Sequence, residues 1–111
     1  MTEPGETEPG EVSVHELAAA TEHGALVVDV REPGEYVQAH VPQAVLMPLR
    51  TVPDRHQELP KDQTVYLVCA VGARSMQAAY FLAQLGYDVR NVAGGTRDWI
   101  AAGLPVEAGS G

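Results

Sequence analysis

The chain has 111 residues, 45% of them hydrophobic, and a net charge of −8, which fits one compact domain with a single core. An acidic chain with one lysine and no basic cluster argues against nucleic-acid binding, because phosphate contacts depend on Lys and Arg. No apolar run approaches the roughly 20 residues of a membrane helix. We therefore predict neither a nucleic-acid nor a membrane partner.

The first eleven residues are acidic and contain the direct repeat TEPGE-TEPGE. Proline, glycine and glutamate at this density cannot bury apolar surface, so residues 1–11 are predicted to be a disordered tail. They have no basic residue and no apolar stretch, and so do not resemble a secretory signal. A cytoplasmic location is the expectation.

The next elements are a short edge strand at Val12 and a helix. Ser13 and Glu16 have the spacing of a capping box, which predicts a helix that runs to about Glu22. Residues 26–29 form a short, continuous apolar run that predicts a strand covered on both faces. Residues 44–47 are a shorter candidate strand.

A second buried strand is predicted over residues 65–69, followed by a helix over residues 74–85. A short strand over 89–92 and a short helix over 96–102 close the pattern. Alternating strands and helices predict an α/β fold, a central parallel sheet of about five strands flanked by helices in three layers. The predicted apolar face of the 74–85 helix contains Ala78, Phe81, Leu82 and Leu85.

Cys69 is the one cysteine of the chain, which excludes an internal disulfide framework and a CxxC metal site. The four histidines lack the spacing of a zinc cluster, so we expect no metal and no cofactor. By composition alone a lone cysteine is more often a small buried hydrophobe than a reactive group.

The local sequence of Cys69 favours reactivity. In parallel sheets the functional groups lie at the carboxyl ends of strands, and Cys69 ends a predicted strand. The small residues Ala70, Gly72 and Ala73 allow the backbone N–H groups to turn inward as an anion-binding nest, next to a helix N-terminus near Arg74. A thiolate in that position is stabilised, and its pKa is expected to fall below about 8.5.

Two polar residues follow the loop. Arg74 supplies a fixed positive charge and five donors, or alternatively ties the loop to neighbouring carbonyl groups. For Ser75 a helix-capping role is favoured over a direct contact with a bound anion.

The segment from Cys69 to Ser75 reads CAVGARS and resembles the active-site loop C-x-x-G-x-R-S of the rhodanese family. The resemblance runs in order over residues 12–107, the predicted domain, and leaves residues 108–111 as a flexible C-terminus. The other segments that resemble the family are DVRE with Glu35, Tyr36 and His40, then VPQA with Pro48 and Leu49, and finally GYDV with Gly94, Gly95, Trp99 and GLPV.

The resemblance implies a sulfurtransferase of the thiosulfate type, in which Cys69 attacks a donor such as thiosulfate or a persulfide and carries the sulfur as a persulfide. A thiol, for example on a thioredoxin-like or sulfur-relay protein, or cyanide then accepts the sulfur. Asp29 and Arg31 are expected to be supporting residues that position loops. The substrate-binding residues implied by the family are Ala70, Val71, Gly72, Ala73, Arg74 and Ser75. Arg74 is also implied as a catalytic residue, beside Cys69, that assists electrostatically.

The chain departs from the family where many thiosulfate-active members have a cationic or hydroxyl residue after the cysteine, because Ala70 and Val71 are apolar. This weakens the attraction for a dianion. Three alternatives stay open. A persulfide carrier in a sulfur relay suits the apolar rim, and a partner-binding module usually lacks the cysteine. A cysteine phosphatase or arsenate reductase needs five residues between cysteine and arginine, where this chain has four.

Overall fold

A computed structural model describes residues 8–110. Its five strands are β1 (Gly10–Val12), β2 (Leu26–Asp29), β3 (Val45–Leu46), β4 (Val65–Val68) and β5 (Val89–Val92). They form one parallel sheet in the order β1-β5-β4-β2-β3. The predicted α/β fold with a central five-stranded parallel sheet is confirmed.

Within residues 8–110, five α-helices flank the sheet: α1 (Val14–Thr21), α2 (Pro33–Gln38), α3 (Val52–Arg55), α4 (Ala73–Gln84) and α5 (Gly95–Ala101). Two 3₁₀ turns, Leu49–Thr51 and His56–Glu58, flank α3. The predicted capping box of α1 is present, since the Ser13 hydroxyl accepts from the Glu16 amide and the Glu16 carboxylate accepts from the Ser13 amide.

Hydrophobic residues fill both faces of the sheet because neighbouring side chains of a strand point in opposite directions. Val28 and Leu67 pack with α4 residues such as Leu82, whereas Val27 and Val68 pack on the other side, which includes Trp99 of α5. The central strands β2 and β4 are therefore covered on both sides. This burial accounts for their continuous apolar sequences.

Three predictions need correction in detail. The buried face of α4 is made of Ala78, Ala79, Leu82 and Ala83, while Phe81 and Leu85 are 39% and 37% exposed. The sequence pattern gave no helix between residues 48 and 60, because the segment consists of short turns of mixed type and lacks a long helical period.

The predicted boundary of the acidic tail also moves. Gly10 and Glu11 belong to strand β1, where Glu11 pairs with Asn91 of β5, so the sheet begins two residues before Val12. Backbone pairing stabilises these residues although the local composition predicts disorder. Residues 1–7 of the predicted tail, and Gly111 of the predicted flexible C-terminus, lie outside the described residues.

Candidate active site

Strand β4 ends at Val68 and places Cys69 at the carboxyl edge of the sheet, beside the end of β2. A short loop then turns the chain into α4, which begins at Ala73. Gly72 makes the turn possible because it caps the helix with a φ of +104°, in the left-handed region that favours glycine. The predicted strand–loop–helix arrangement is therefore present.

The sulfur of Cys69 lies at the base of this loop, and the residue is 1% exposed. The Gly72 N–H donates to Cys69 Sγ over 3.1 Å, and the Ser75 Oγ lies 3.3 Å from the same sulfur. Because Cys69 is covered, a molecule that contacts its sulfur has to enter the loop.

The surroundings lower the pKa of the Cys69 thiol from its ordinary value. Burial acts most strongly and raises this pKa, but hydrogen bonds from the Ser75 hydroxyl and from the amides of Ser75, Gly72 and Val71 together outweigh it. These donors stabilise the charged form of a buried group. The direction of this shift agrees with the lowered pKa expected from the sequence.

Helix α5 holds the cysteine loop through two backbone hydrogen bonds. The amide of Thr96 donates to the Cys69 carbonyl at 2.8 Å, and the amide of Arg97 donates to the Ala70 carbonyl at 3.0 Å. Gly95 precedes them, and a Cβ atom there would lie 2.3 Å from the Cys69 carbonyl oxygen. The absence of a side chain at Gly95 therefore lets the loop before α5 pass close to Cys69.

Arg74 does not extend freely into the loop. Its two terminal nitrogens donate to the two carboxylate oxygens of Glu35 in α2, each at 2.8 Å. These hydrogen bonds hold the pKa of Glu35 at about 2, so the carboxylate is charged at neutral pH. Arg74 thus ties α4 to α2 through a carboxylate rather than through carbonyl groups. Its assistance to a bound anion stays a prediction.

Asp29 and Arg31 form a buried pair at the end of β2. Three hydrogen bonds join their side chains, and Arg31 Nη2 also donates to the Ala39 carbonyl at 2.8 Å. The Arg31 amide donates to Asp29 Oδ1. These contacts bind the end of β2 to the chain after α2, which is consistent with the loop-positioning role expected for both residues.

Ser75 is the third residue of α4, and Gly72, not Ser75, is the N-cap of this helix. The predicted capping role is therefore wrong, because the loop turns three residues earlier than a Ser75 cap requires. The Ser75 side chain is buried and reaches both Cys69 Sγ and Asn91 Oδ1.

Sequence reasoning gave no role to Asn91. It is a 1% exposed polar residue in strand β5, between the buried residues Val89 and Val92. A polar residue within a short buried strand was the available signal, since buried amides require hydrogen-bond partners.

The fold and this loop together define a class of protein: an α/β domain whose cysteine lies in an amide-lined turn between a parallel strand and a helix. Residues 13–102 match the rhodanese-like domain family. A sulfurtransferase of Allochromatium vinosum is 42% identical over 100 residues, which cover 89% of this chain and 92% of that protein. The chain belongs to the rhodanese-like domain family.

Two further comparisons agree. Thiosulfate sulfurtransferase GlpE of Pseudomonas syringae is 33% identical, over 84% of this chain and 89% of its own. The crystal structure of a rhodanese-related protein from Thermoplasma volcanium superposes with a TM-score of 0.83 at 31% identity, covering 87% of this chain and 96% of that one. These relatives support sulfur transfer as the general activity, that of a transferase in the rhodanese superfamily. Among residues 8–110, no helix has the length and apolarity to cross a membrane.

Proposed function

We propose that the protein moves a sulfane sulfur from thiosulfate or a persulfide to a thiol acceptor or cyanide, through a persulfide on Cys69. The observation that carries the proposal is the position of Cys69 Sγ, 3.1 Å from the Gly72 N–H where β4 gives way to α4. A sulfur anion at this point faces a backbone donor and the positive end of a helix.

The reaction has two steps. The Cys69 thiolate attacks the outer sulfur of thiosulfate, a new S–S bond forms, and sulfite leaves with the electron pair of the broken S–S bond. An acceptor thiolate then attacks the outer sulfur of the persulfide, which gives an acceptor persulfide and restores the Cys69 thiolate. The charge on sulfur stays near the loop amides throughout, and preorganised donors of this kind lower the barrier.

The test is the intact mass of the protein after incubation with thiosulfate. We expect one added sulfur atom for each chain, because the sequence contains a single cysteine. Cyanide treatment is expected to remove that sulfur and release thiocyanate, which distinguishes a persulfide from an oxidised cysteine. A protein that gains no removable sulfur from thiosulfate or from any persulfide donor contradicts the proposal.

A second candidate is a persulfide carrier that receives sulfur from another protein and uses thiosulfate poorly. Two observations favour it. Val71, beside the cysteine, is apolar and 49% exposed, which suits contact with a protein surface. Arg74 already forms a bidentate ion pair with Glu35, which neutralises its positive charge. The loop therefore has little positive charge left to attract a dianion.

A positive charge introduced at position 71 tests whether the lack of free positive charge in the loop limits the use of thiosulfate. We expect Val71→Lys to increase kcat/KM for thiosulfate about threefold to tenfold, because one added positive charge attracts a dianion by roughly 1 kcal/mol near a protein surface. The matched control is Leu85→Lys, which adds the same charge about 18 Å away at the other end of α4. Equal rates in both variants and the wild type would show that local charge does not limit thiosulfate use.

The same measurement with a persulfidated protein as donor separates the two candidates. The persulfide-carrier function is favoured if kcat/KM is much higher with the persulfidated protein than with thiosulfate, and if Val71→Lys makes the two values more similar. The thiosulfate enzyme is favoured if the wild type already uses thiosulfate at least as well.

A further inference from the structure

The side chain of Asn91 contacts two of the residues that approach the sulfur of Cys69, Gly72 and Ser75. It projects from β5 beneath the cysteine loop and is 1% exposed. Its Nδ2 donates to the Gly72 carbonyl at 3.3 Å, and its Oδ1 accepts from Ser75 Oγ at 2.5 Å. One amide thus joins the residue whose N–H serves the sulfur and the residue whose hydroxyl lies beside it.

The orientation of this amide is fixed by its neighbours. Besides the Gly72 carbonyl, Nδ2 faces a carboxylate oxygen of Glu11 at 3.2 Å. Both neighbours are acceptors only, so the amide must present its NH₂ group to them. The Oδ1 atom is consequently the one that faces Ser75, and the Ser75 hydroxyl must be the donor of that hydrogen bond.

The Ser75 hydroxyl has one hydrogen and two neighbouring acceptors. Asn91 Oδ1 is 2.5 Å away, while Cys69 Sγ is 3.3 Å away. The short O···O contact holds the hydrogen, which leaves a Ser75 lone pair directed at the sulfur. In this arrangement the thiol S–H donates to Ser75 Oγ. A thiolate receives the Ser75 hydrogen, the contact that helps to lower the pKa of Cys69, only when the hydrogen bond between Ser75 and Asn91 breaks.

We infer that Asn91 is a positioning residue that sets the ionisation of Cys69 by holding the hydrogen of the Ser75 hydroxyl. The Gly72 N–H donates to the sulfur of the thiol and of the thiolate alike, whereas donation from the Ser75 hydroxyl depends on Asn91. The relevance to turnover rests on the proposed function. The ionisation itself does not, because it can be measured on the thiol with no sulfur donor present.

The experiment measures the acid dissociation constant of the thiol, from the ultraviolet absorbance of the thiolate and from the pH dependence of alkylation by iodoacetamide. The single cysteine makes both signals specific. We expect Asn91→Leu to raise this constant about tenfold, because Ser75 then donates fully to the charged sulfur. The Gly72 carbonyl keeps a partner in this variant, the Met76 amide at 3.2 Å.

The Ser75→Ala background separates this role from a purely structural one. In this background no Ser75 hydroxyl is present for Asn91 to hold. The Cys69 thiol of the double variant is therefore expected to have the same acid dissociation constant as that of Ser75→Ala alone. Should Asn91→Leu fail to fold by circular dichroism, Asn91→Ala removes the same oxygen without filling the space and is expected to give the same result.

Two results would overturn the inference. One is an unchanged or lower dissociation constant in the folded Asn91 variant. The other is an equal increase with and without Ser75, which would indicate a distorted loop. The variants could titrate as expected while the wild-type protein takes up no sulfur from any donor. That outcome would contradict the proposed function and leave the role of Asn91 intact.

Discussion

Replacing Cys69 by serine is expected to abolish sulfur uptake, with a fall in turnover of at least about 10⁴-fold, as when an enzyme loses its nucleophile. The thiolate is the reactive form of cysteine, and the loop lowers the pKa of Cys69, which increases the fraction of this form. A serine hydroxyl in the same place is not ionised near neutral pH and forms no persulfide. The measurement is intact mass with thiosulfate and with a persulfide donor.

The fold should survive this change. The residue is 1% exposed, serine is close to cysteine in size, and the Gly72 N–H retains an acceptor. We therefore expect a loss of unfolding free energy of about 1 kcal/mol. Ser75→Ala is the matched control, since it removes a neighbouring hydroxyl but keeps the nucleophile and should still take up sulfur. A removable sulfur on the Cys69→Ser protein would show that the nucleophile lies elsewhere.

Gly95→Ala is expected to cause the largest loss of stability, at least about 3 kcal/mol in the free energy of unfolding. The new Cβ would lie 2.3 Å from the Cys69 carbonyl oxygen and 2.8 Å from the carbonyl carbon and oxygen of Ala70. Backbone atoms cannot move aside cheaply, so the loop must separate from α5. The hydrogen bonds from Thr96 and Arg97 to the loop would then weaken, and sulfur uptake should fall with them.

Gly103→Ala is the matched control for backbone strain. Gly103 also has a positive φ, +76° against +55° for Gly95, but its Cβ would have no atom within 4 Å. Gly103→Ala should therefore lower the free energy of unfolding only by roughly 1–2 kcal/mol, the cost of placing alanine in the left-handed backbone region, and should leave sulfur uptake unchanged. Urea unfolding followed by circular dichroism gives both free energies. Equal losses in the two variants would contradict close packing at Gly95 as the cause.

Local sequence was sufficient for the elements that carry the site. The apolar runs at 26–29 and 65–69 predicted central strands because both faces of these strands are buried, and the spacing of Ser13 and Glu16 predicted the start of α1. The segment from Cys69 to Ser75 predicted the strand–loop–helix turn, since its small residues permit the turn whatever surrounds them. Together with the family resemblance, these patterns identified Cys69.

Contacts between segments that are distant in the sequence could not be predicted from local patterns. Glu35 of α2 meets Arg74, and Asn91 of β5 meets Ser75, only because the sheet order β1-β5-β4-β2-β3 places their elements around the end of β4. Glu11 likewise joins the sheet through β5 although its own sequence predicts disorder. Amino-acid order, read with the family resemblance, determined the candidate nucleophile Cys69 and the shape of its loop, because both depend on neighbouring residues. Tertiary packing decided which groups lower the pKa of Cys69 and support its loop, because hydrogen bonds and ion pairs depend on distance in space.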